Sequence, residues 1–201
     1  MVNGQKNGLN QSITIDLVMF KTVPTSSHTR SSQVRNTIHM NKISHDSETL
    51  AENKQVITAC VFIHKNFNGV EKVFLSKRAS TKKFLPNIFE LPGGHIDFGE
   101  DIVEGLKREV MEEHGMNISV GDPFAVFTYT NEIKKSHSIE VVYFAEFTDP
   151  LENIKTNPED HSEFIWATEN ELPQSGSMSP EEIANTQKGF ELLRGESQNF
   201  R

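Results

Sequence analysis

One cysteine in 201 residues, Cys60, excludes a disulfide within the chain. It sits inside the apolar run of residues 56–63, which marks a buried structural thiol rather than a nucleophile. No apolar run approaches the length that spans a bilayer, so no membrane role is expected. Positive charge is also scarce. Lys and Arg total 20 against 28 Asp and Glu, a net charge of −8, and such a balance disfavours avid binding to phosphate backbones or anionic membranes. Nucleic acid is therefore not an expected partner. No internal repeat is present. What is there, 35% hydrophobic and 24% charged residues, suits a soluble, cytoplasmic chain with one well-buried core and an appendage.

The appendage is residues 1–53, polar and rich in Ser, Thr, Asn and Gln. Only residues 13–20, from Ile13 to Phe20, are dense enough in apolar side chains for a strand or short helix. The composition reads as a largely disordered arm. Up to Lys42 it carries several Lys and Arg but a single acid, Asp16, so an organelle-targeting segment is the alternative, although no Arg-rich amphipathic helix supports it. Met40 is a candidate second start.

From Gln55 the texture changes. Residues 56–63 are β-branched and apolar, a buried strand. Residues 66–69, Asn-Phe-Asn-Gly, are turn chemistry, and residues 72–78 return as the hairpin partner, ending in the basic pair Lys77–Arg78. Residues 84–92 run to Pro92, which ends a strand. Residues 124–129 and 139–147 are further strands with the polar connection 131–137 between them, and residues 161–166 are a late strand. Ser179-Pro180-Glu181-Glu182 reads as a capping box with proline at the first helical position. It opens a helix to about Arg194, with Ile183, Phe190 and Leu193 inward.

Chemistry concentrates between Gly93 and Met116. Asp101, followed three residues later by Glu104, starts a helix at Ile102, and Gly115 suits the left-handed position that ends it. At about 100° per residue, Glu109, Glu112 and Glu113 share one narrow face. Val103, Leu106 and Val110 form the neighbouring apolar stripe. Arg108 is within ion-pair reach of Glu104 and Glu112. Three acids at this spacing form either a solvated helix face or a site for a hard divalent cation. The glycine pair just upstream, where backbone can approach an ion or phosphate without a Cβ in the way, tilts the reading to the cation.

Gly94, five residues, Glu100, seven residues, then Arg108-Glu109-Val110-Met111-Glu112-Glu113-His114-Gly115-Met116 resembles the Nudix box, Gx5Ex7REUxEExGU, at every fixed position. The chain is identified on this motif as similar to the MutT-like Nudix hydrolases. The resemblance implies an α/β (α+β) fold, an α/β/α sandwich around a central mixed β-sheet, over residues 54–196. It implies Mg²⁺-dependent cleavage of a phosphoanhydride bond in a nucleoside diphosphate derivative, with Mn²⁺ as a substitute ion. Glu109, Glu112 and Glu113 match the metal ligands, with the Gly93 carbonyl completing the shell. Arg108 matches a residue that orients Glu112, and Glu100 and Gly94 match accessory positions that support loop and helix. Glu109 is the first nominee for general base, with Glu163 and Glu132 as candidates outside the box. Arg78, His95 and Phe89 are the substrate-binding candidates. Phe84, Phe127 and Trp166 could stack on a base, although such aromatics are commonly core. Glu90 would support the metal site or form a salt bridge.

Marks of particular substrates lie outside the box. The proline some sixteen residues beyond it in ADP-ribose enzymes is Glu132 here. The Ser-Gln-Pro-Trp-Pro-Phe-Pro run of the NADH type is absent, and the coenzyme A pattern matches only partly around residues 75–79. By elimination the expected substrate is a nucleoside triphosphate, released as monophosphate and pyrophosphate. ADP-ribose or a nucleotide sugar is the alternative, and a non-catalytic nucleotide-binding module is the third reading. A small-molecule nucleotide is the expected partner, and the resemblance leaves a homodimer open.

Overall fold

The computed structural model describes residues 50–173 and 177–195. The apolar patch at residues 13–20 and the start at Met40 lie outside them. Among the described residues, seven strands and two α-helices follow one another as β1 (Gln55–Phe67), β2 (Val70–Arg78), β3 (Phe89–Glu90), β4 (Gly93–His95), α1 (Ile102–His114), β5 (Ile118–Asn131), β6 (Ser136–Phe147), β7 (His161–Ala167) and α2 (Pro180–Leu193).

β1 organises the sheet. One edge runs parallel to β6 from Gln55 to Ile63. Its other edge is shared, β4 pairing with Thr58 to Cys60 and β2 with His64 to Phe67. β2 carries β3 and β7, and β5 pairs antiparallel to β6 at the far edge. The sheet is therefore mixed, as expected. Alternation along β1 divides the apolar side chains between two layers. Ala59, Val61 and Ile63 pack with Leu106 and Val110 of α1, while Cys60 and Phe62 pack with Phe190 of α2. The two helices thus cover opposite faces, giving the α/β/α sandwich.

Local chemistry explains the boundaries. The β1–β2 hairpin turns on Asn68 and Gly69, both with positive φ, which matches the twist of the flanking strands. Asp101 caps α1 by accepting from the Val103 and Glu104 amides, and Gly115 ends it at φ 63°. α2 begins with Ser179 Oγ accepting from the Glu182 amide.

Several details differ from the sequence expectations. Ile102, not Val103, joins Leu106 and Val110 in the α1 core contact. Leu193 stays 38% exposed at the end of α2. Only half of the α2 capping box is made, because the Glu182 carboxyl turns away to accept from the Leu91 amide. β5 and β6 are longer than expected, leaving residues 132–135 as the turn. Gly121, Asp122 and Pro123 look like breakers, but β5 lies at the sheet edge and absorbs them as a register shift.

Candidate active site

A cavity of about 560 Å³ opens where β4, the start of β1 and the N-terminal turn of α2 meet the carboxylate face of α1. Glu109 and Glu113 line it, with Gly93, Gly94 and His95. The glycines are spatially demanded. Gly93 has φ 146°, and a Cβ there would collide with the Ala59 carbonyl oxygen. A Cβ on Gly94 would meet the Glu109 carboxyl carbon at 2.7 Å. The Gly93 amide donates to Glu113 Oε2 at 3.2 Å, which ties the strand to the helix.

Arg108 braces this wall. Its Nε and Nη2 donate to the two Glu100 oxygens at 3.0 Å each, Nη1 donates to Glu109 Oε1 at 2.8 Å, and Nη2 also reaches the His95 carbonyl. Glu100 Oε2 in turn accepts from the Asp97 amide, so one forked cation fixes loop, strand and helix together. The expected partnership of Arg108 with Glu112 is only a 3.6 Å ion pair, and Glu104 pairs with Lys107 instead. The reason is geometric: the guanidinium folds towards the loop, where Glu100 offers two oxygens. Glu112 is 39% exposed and lies outside the residues that line the cavity.

The carboxylates are electrostatically loaded. Burial pushes Glu113 up to about 8; nearby His161 opposes this and Glu90, Glu109 and Asp160 add to it. Burial also raises Glu109, against the pull of Arg108 and with the repulsion of Glu112 and Asp160. Arg108 is held well above its ordinary range, first by its hydrogen bond to Glu100. The carboxylate oxygens of Glu109 and Glu113, beside a glycine whose missing Cβ leaves room, fit a hard divalent cation, and Glu113 also lies within 4.8 Å of ring nitrogens of His114 and His161.

Behind this wall runs a buried network that the sequence only hinted at. Glu90 accepts from Arg78 Nη1 at 2.9 and 3.0 Å and bonds His161 Nε2 at 2.9 Å. Burial would raise Glu90, but Arg78 and His161 outweigh it and hold the carboxyl below its usual range. Glu90 forms the salt bridge and also lines the cavity. His161 is lowered by burial and raised further by Glu113 and Glu90, with a net rise. Its ring stacks on His114 at 5.3 Å, and His114 bonds Ser76 Oγ through Nε2 and is driven down to about 3 by burial and by His161. Lys82 pairs with Asp160 at 2.6 Å, both at the cavity wall.

Among the substrate-binding candidates, Arg78 and His95 line the cavity, Arg78 with its guanidinium engaged by Glu90 and the Phe84 carbonyl. Phe89 does not line it. Phe89 packs against the core under Lys77 Nζ, 5.4 Å from the ring centre. Trp166 is core on the α1 face, against Phe67, Phe74 and Phe147. Phe84 and Phe127 do line the cavity, joined by Tyr129. The outside candidates for general base are elsewhere: Glu163 is half exposed and paired with Lys77, and Glu132 is an exposed turn residue, neither of them in the lining.

A model of the NUDIX domain matches residues 54–188. The chain belongs to the NUDIX family. Two solved structures share the fold: a MutT protein of Methanosarcina mazei, at 21% identity and TM-score 0.58, covering 72% of this chain and 99% of that one, and a C. elegans Ap4A hydrolase, at 19% and 0.58, covering 70% and 98%. Sequence relatives include the m7GpppN-mRNA hydrolase NUDT17 of Danio rerio, 35% identical over 38% of this chain and 24% of its own length, and an ADP-ribose pyrophosphatase of Methanocaldococcus jannaschii, 29% identical over 37% and 43%. These matches span less than half of the curated relatives' own length. Within this NUDIX chain no helix among the described residues is long and apolar enough to cross a membrane.

Proposed function

We propose that this NUDIX chain is a metal-dependent hydrolase that cleaves a phosphoanhydride bond in a nucleoside diphosphate derivative, a nucleoside triphosphate being the leading substrate. The observation that carries this is the shared desolvation of Glu109 and Glu113 on one cavity wall against Gly93–Gly94. Glu109, Glu112, Glu113 and the Gly93 carbonyl would hold Mg²⁺, or Mn²⁺ in its place. The bound ion would screen the phosphate oxygens and ease deprotonation of a water ligand. Arg108 and Glu100 fix the carboxylates in place, so that little reorganisation is needed when the substrate arrives. Glu109 is the nominated base, a box acid at the cavity whose carboxyl, like that of Glu113, is raised by burial. Arg78 and His95 line the substrate's side of the same space.

Residues 54–196 form the catalytic domain in this reading, residues 1–53 an extension whose part before Met40 is dispensable, and the setting is cytoplasmic. A second reading, hydrolysis of a capped guanine nucleotide, is favoured by the relatives named m7GpppN-mRNA hydrolase. The deciding experiment is pyrophosphate and phosphate release from a panel of nucleoside triphosphates, ADP-ribose, nucleotide sugars and m7GpppN, with and without Mg²⁺. Metal-dependent release from a triphosphate, lost in Glu112→Gln/Glu113→Gln, supports the reading. Activity that survives both substitutions would end the metal assignment.

A further inference from the structure

Among the described residues, seven carboxylic acids line the cavity, against one arginine and one lysine. A polyanionic substrate entering such a space needs each cation that can turn towards it. Arg78 is committed elsewhere. Its largely buried guanidinium is held by both Glu90 oxygens and by the Phe84 carbonyl. Lys82 is placed differently. Its ammonium carries three N–H donors and pairs with Asp160 Oδ1 at 2.6 Å. The two side chains are 18% and 31% exposed, and an ion pair open to water contributes little and exchanges partners at low cost.

The acid of this pair is fixed, and the lysine is the member that can swing. Asp160 Oδ2 accepts from Asn157 Nδ2 at 2.6 Å, and the Asn157 amide donates to the Glu113 carbonyl at 2.7 Å, which anchors the 157–160 turn to the end of α1. The Asp160 carbonyl accepts from the Ala79 amide at 2.8 Å and so docks the turn that carries Lys82. Asp160 is close enough to the box acids for its charge to raise both Glu109 and Glu113. Lys82 thus stands beside the metal wall on a flexible four-carbon stem.

Sheet order gives the cavity two ends. Arg78 of β2 pairs with His161 of β7, and Lys82 and Asp160 lie just beyond that pair. Phe127 and Tyr129 belong to β5, with β1 and β6 between it and β2. Gly93 and Gly94 pair with β1, between these ends. A nucleotide with its phosphates at the glycines and its flat rings near Phe127 and Tyr129 brings its far end to Lys82.

We propose that Lys82 selects nucleotides whose far end is an unesterified phosphate. On binding, Nζ leaves Asp160 and closes on the terminal phosphate of a nucleoside triphosphate, one charge-assisted hydrogen bond replacing another. A neutral sugar or a second nucleoside at that end offers no such charge, so the Lys82–Asp160 pair stays closed and the substrate gains nothing there. The inference rests on the hydrolase reading above and names the group by which that site chooses its substrate.

The test compares the full-length parent with Lys82→Gln, Lys82→Arg and Asp160→Asn, each checked by thermal melting. Initial rates with Mg²⁺ are measured on the four common nucleoside triphosphates and on ADP-ribose, UDP-glucose and m7GpppN. Binding of inorganic pyrophosphate is measured separately by calorimetry with Mg²⁺. Lys82→Gln should lower kcat/KM on the best triphosphate by about 10–100-fold, and by less than about threefold on any esterified nucleotide that the parent hydrolyses. Lys82→Arg should recover most of the loss. Pyrophosphate should bind about tenfold or more weakly to Lys82→Gln. Asp160→Asn should bind it at least as tightly as the parent, because the phosphate no longer displaces an acid. A purely structural pair would suffer alike from the loss of either member. Equal losses on both substrate classes, a parent that prefers esterified nucleotides, or pyrophosphate binding unchanged in Lys82→Gln would overturn the proposal and leave the hydrolase reading standing. Equal weakening of pyrophosphate binding in Lys82→Gln and Asp160→Asn would overturn it too. A folded parent that hydrolyses no member of the panel would overturn both.

Discussion

The two acidic walls of the cavity are built in opposite ways. The wall at α1 draws Glu109 and Glu113 from one turn of helix; Arg108, whose fork also reaches Glu100 and the His95 carbonyl, braces Glu109, and the Gly93 amide holds Glu113. The opposite wall gathers Cys60, Glu140 and Glu182 from three separate elements, and no cation pairs directly with the last two among the described residues. A braced cluster holds its oxygens in fixed positions for an ion, even though burial raises both Glu109 and Glu113. An unbraced, buried one keeps protons and offers hydrogen bonds. The difference in neighbours, rather than in residue type, separates the two roles.

Breaking the first wall should have the largest effect. Glu113→Gln or Glu109→Gln should lower metal-dependent hydrolysis by about 10²–10³-fold or more, measured as initial rates at saturating Mg²⁺. Glu112→Gln, outside the cavity lining, should fall by less. If all three substitutions cost the same, the distinction between lining and rim carboxylates is wrong.

The buried pair behind that wall sharpens the comparison. Arg78→Leu strands Glu90 without its cation and should cost about 3–5 kcal/mol in urea unfolding. Paired replacement, Arg78→Leu with Glu90→Leu, should recover much of that loss. A single variant as stable as the parent would show that the ion pair contributes nothing.

The second wall should show itself through pH. Burial pushes the Glu140 carboxyl up to about 7 in the folded chain, above the ordinary glutamate value of 4.5. Between those values the folded state binds more protons than the unfolded one, so stability falls as pH rises and levels off above 7. Thermal melts from pH 5 to 8 in EDTA should therefore decline more steeply for the parent than for Glu140→Gln. Parallel profiles would mean that Glu140 is ionised throughout. The smallest effect is expected from starting the chain near Met40, which should keep full hydrolytic activity. A large loss would give the N-terminal arm a part in the site.

How far each wall was legible in the sequence follows from how it is built. Glu109, Glu112 and Glu113 share a helical period, and Asp101 and Gly115 bracket that helix with local cap chemistry, so spacing alone put them on one helix face, although only Glu109 and Glu113 reach the cavity. The strands of the sandwich were visible as apolar runs, and only their ends were misjudged, as at Gly121 to Pro123. The opposite wall depends on β1 and β6 running parallel, a pairing between residues about eighty apart that no local pattern specifies. Glu140 did leave a trace, an acid inside an otherwise apolar strand. Glu182 was hidden by its other use, since the sequence spent it on a capping box that its carboxyl does not complete. Phe89 and Trp166 were misleading for a related reason: aromatic strand residues reach either the cavity or the core, and the face is set by register.

The central claim is that the α1 carboxylates form an ion site. Its most direct test is Mn²⁺ titration of the full chain followed by electron paramagnetic resonance, which counts free ion without requiring turnover. The parent should bind the ion, and Glu109→Gln/Glu113→Gln should leave it free at the same concentrations while melting as a folded protein. Equal Mn²⁺ uptake by parent and double variant would contradict the account.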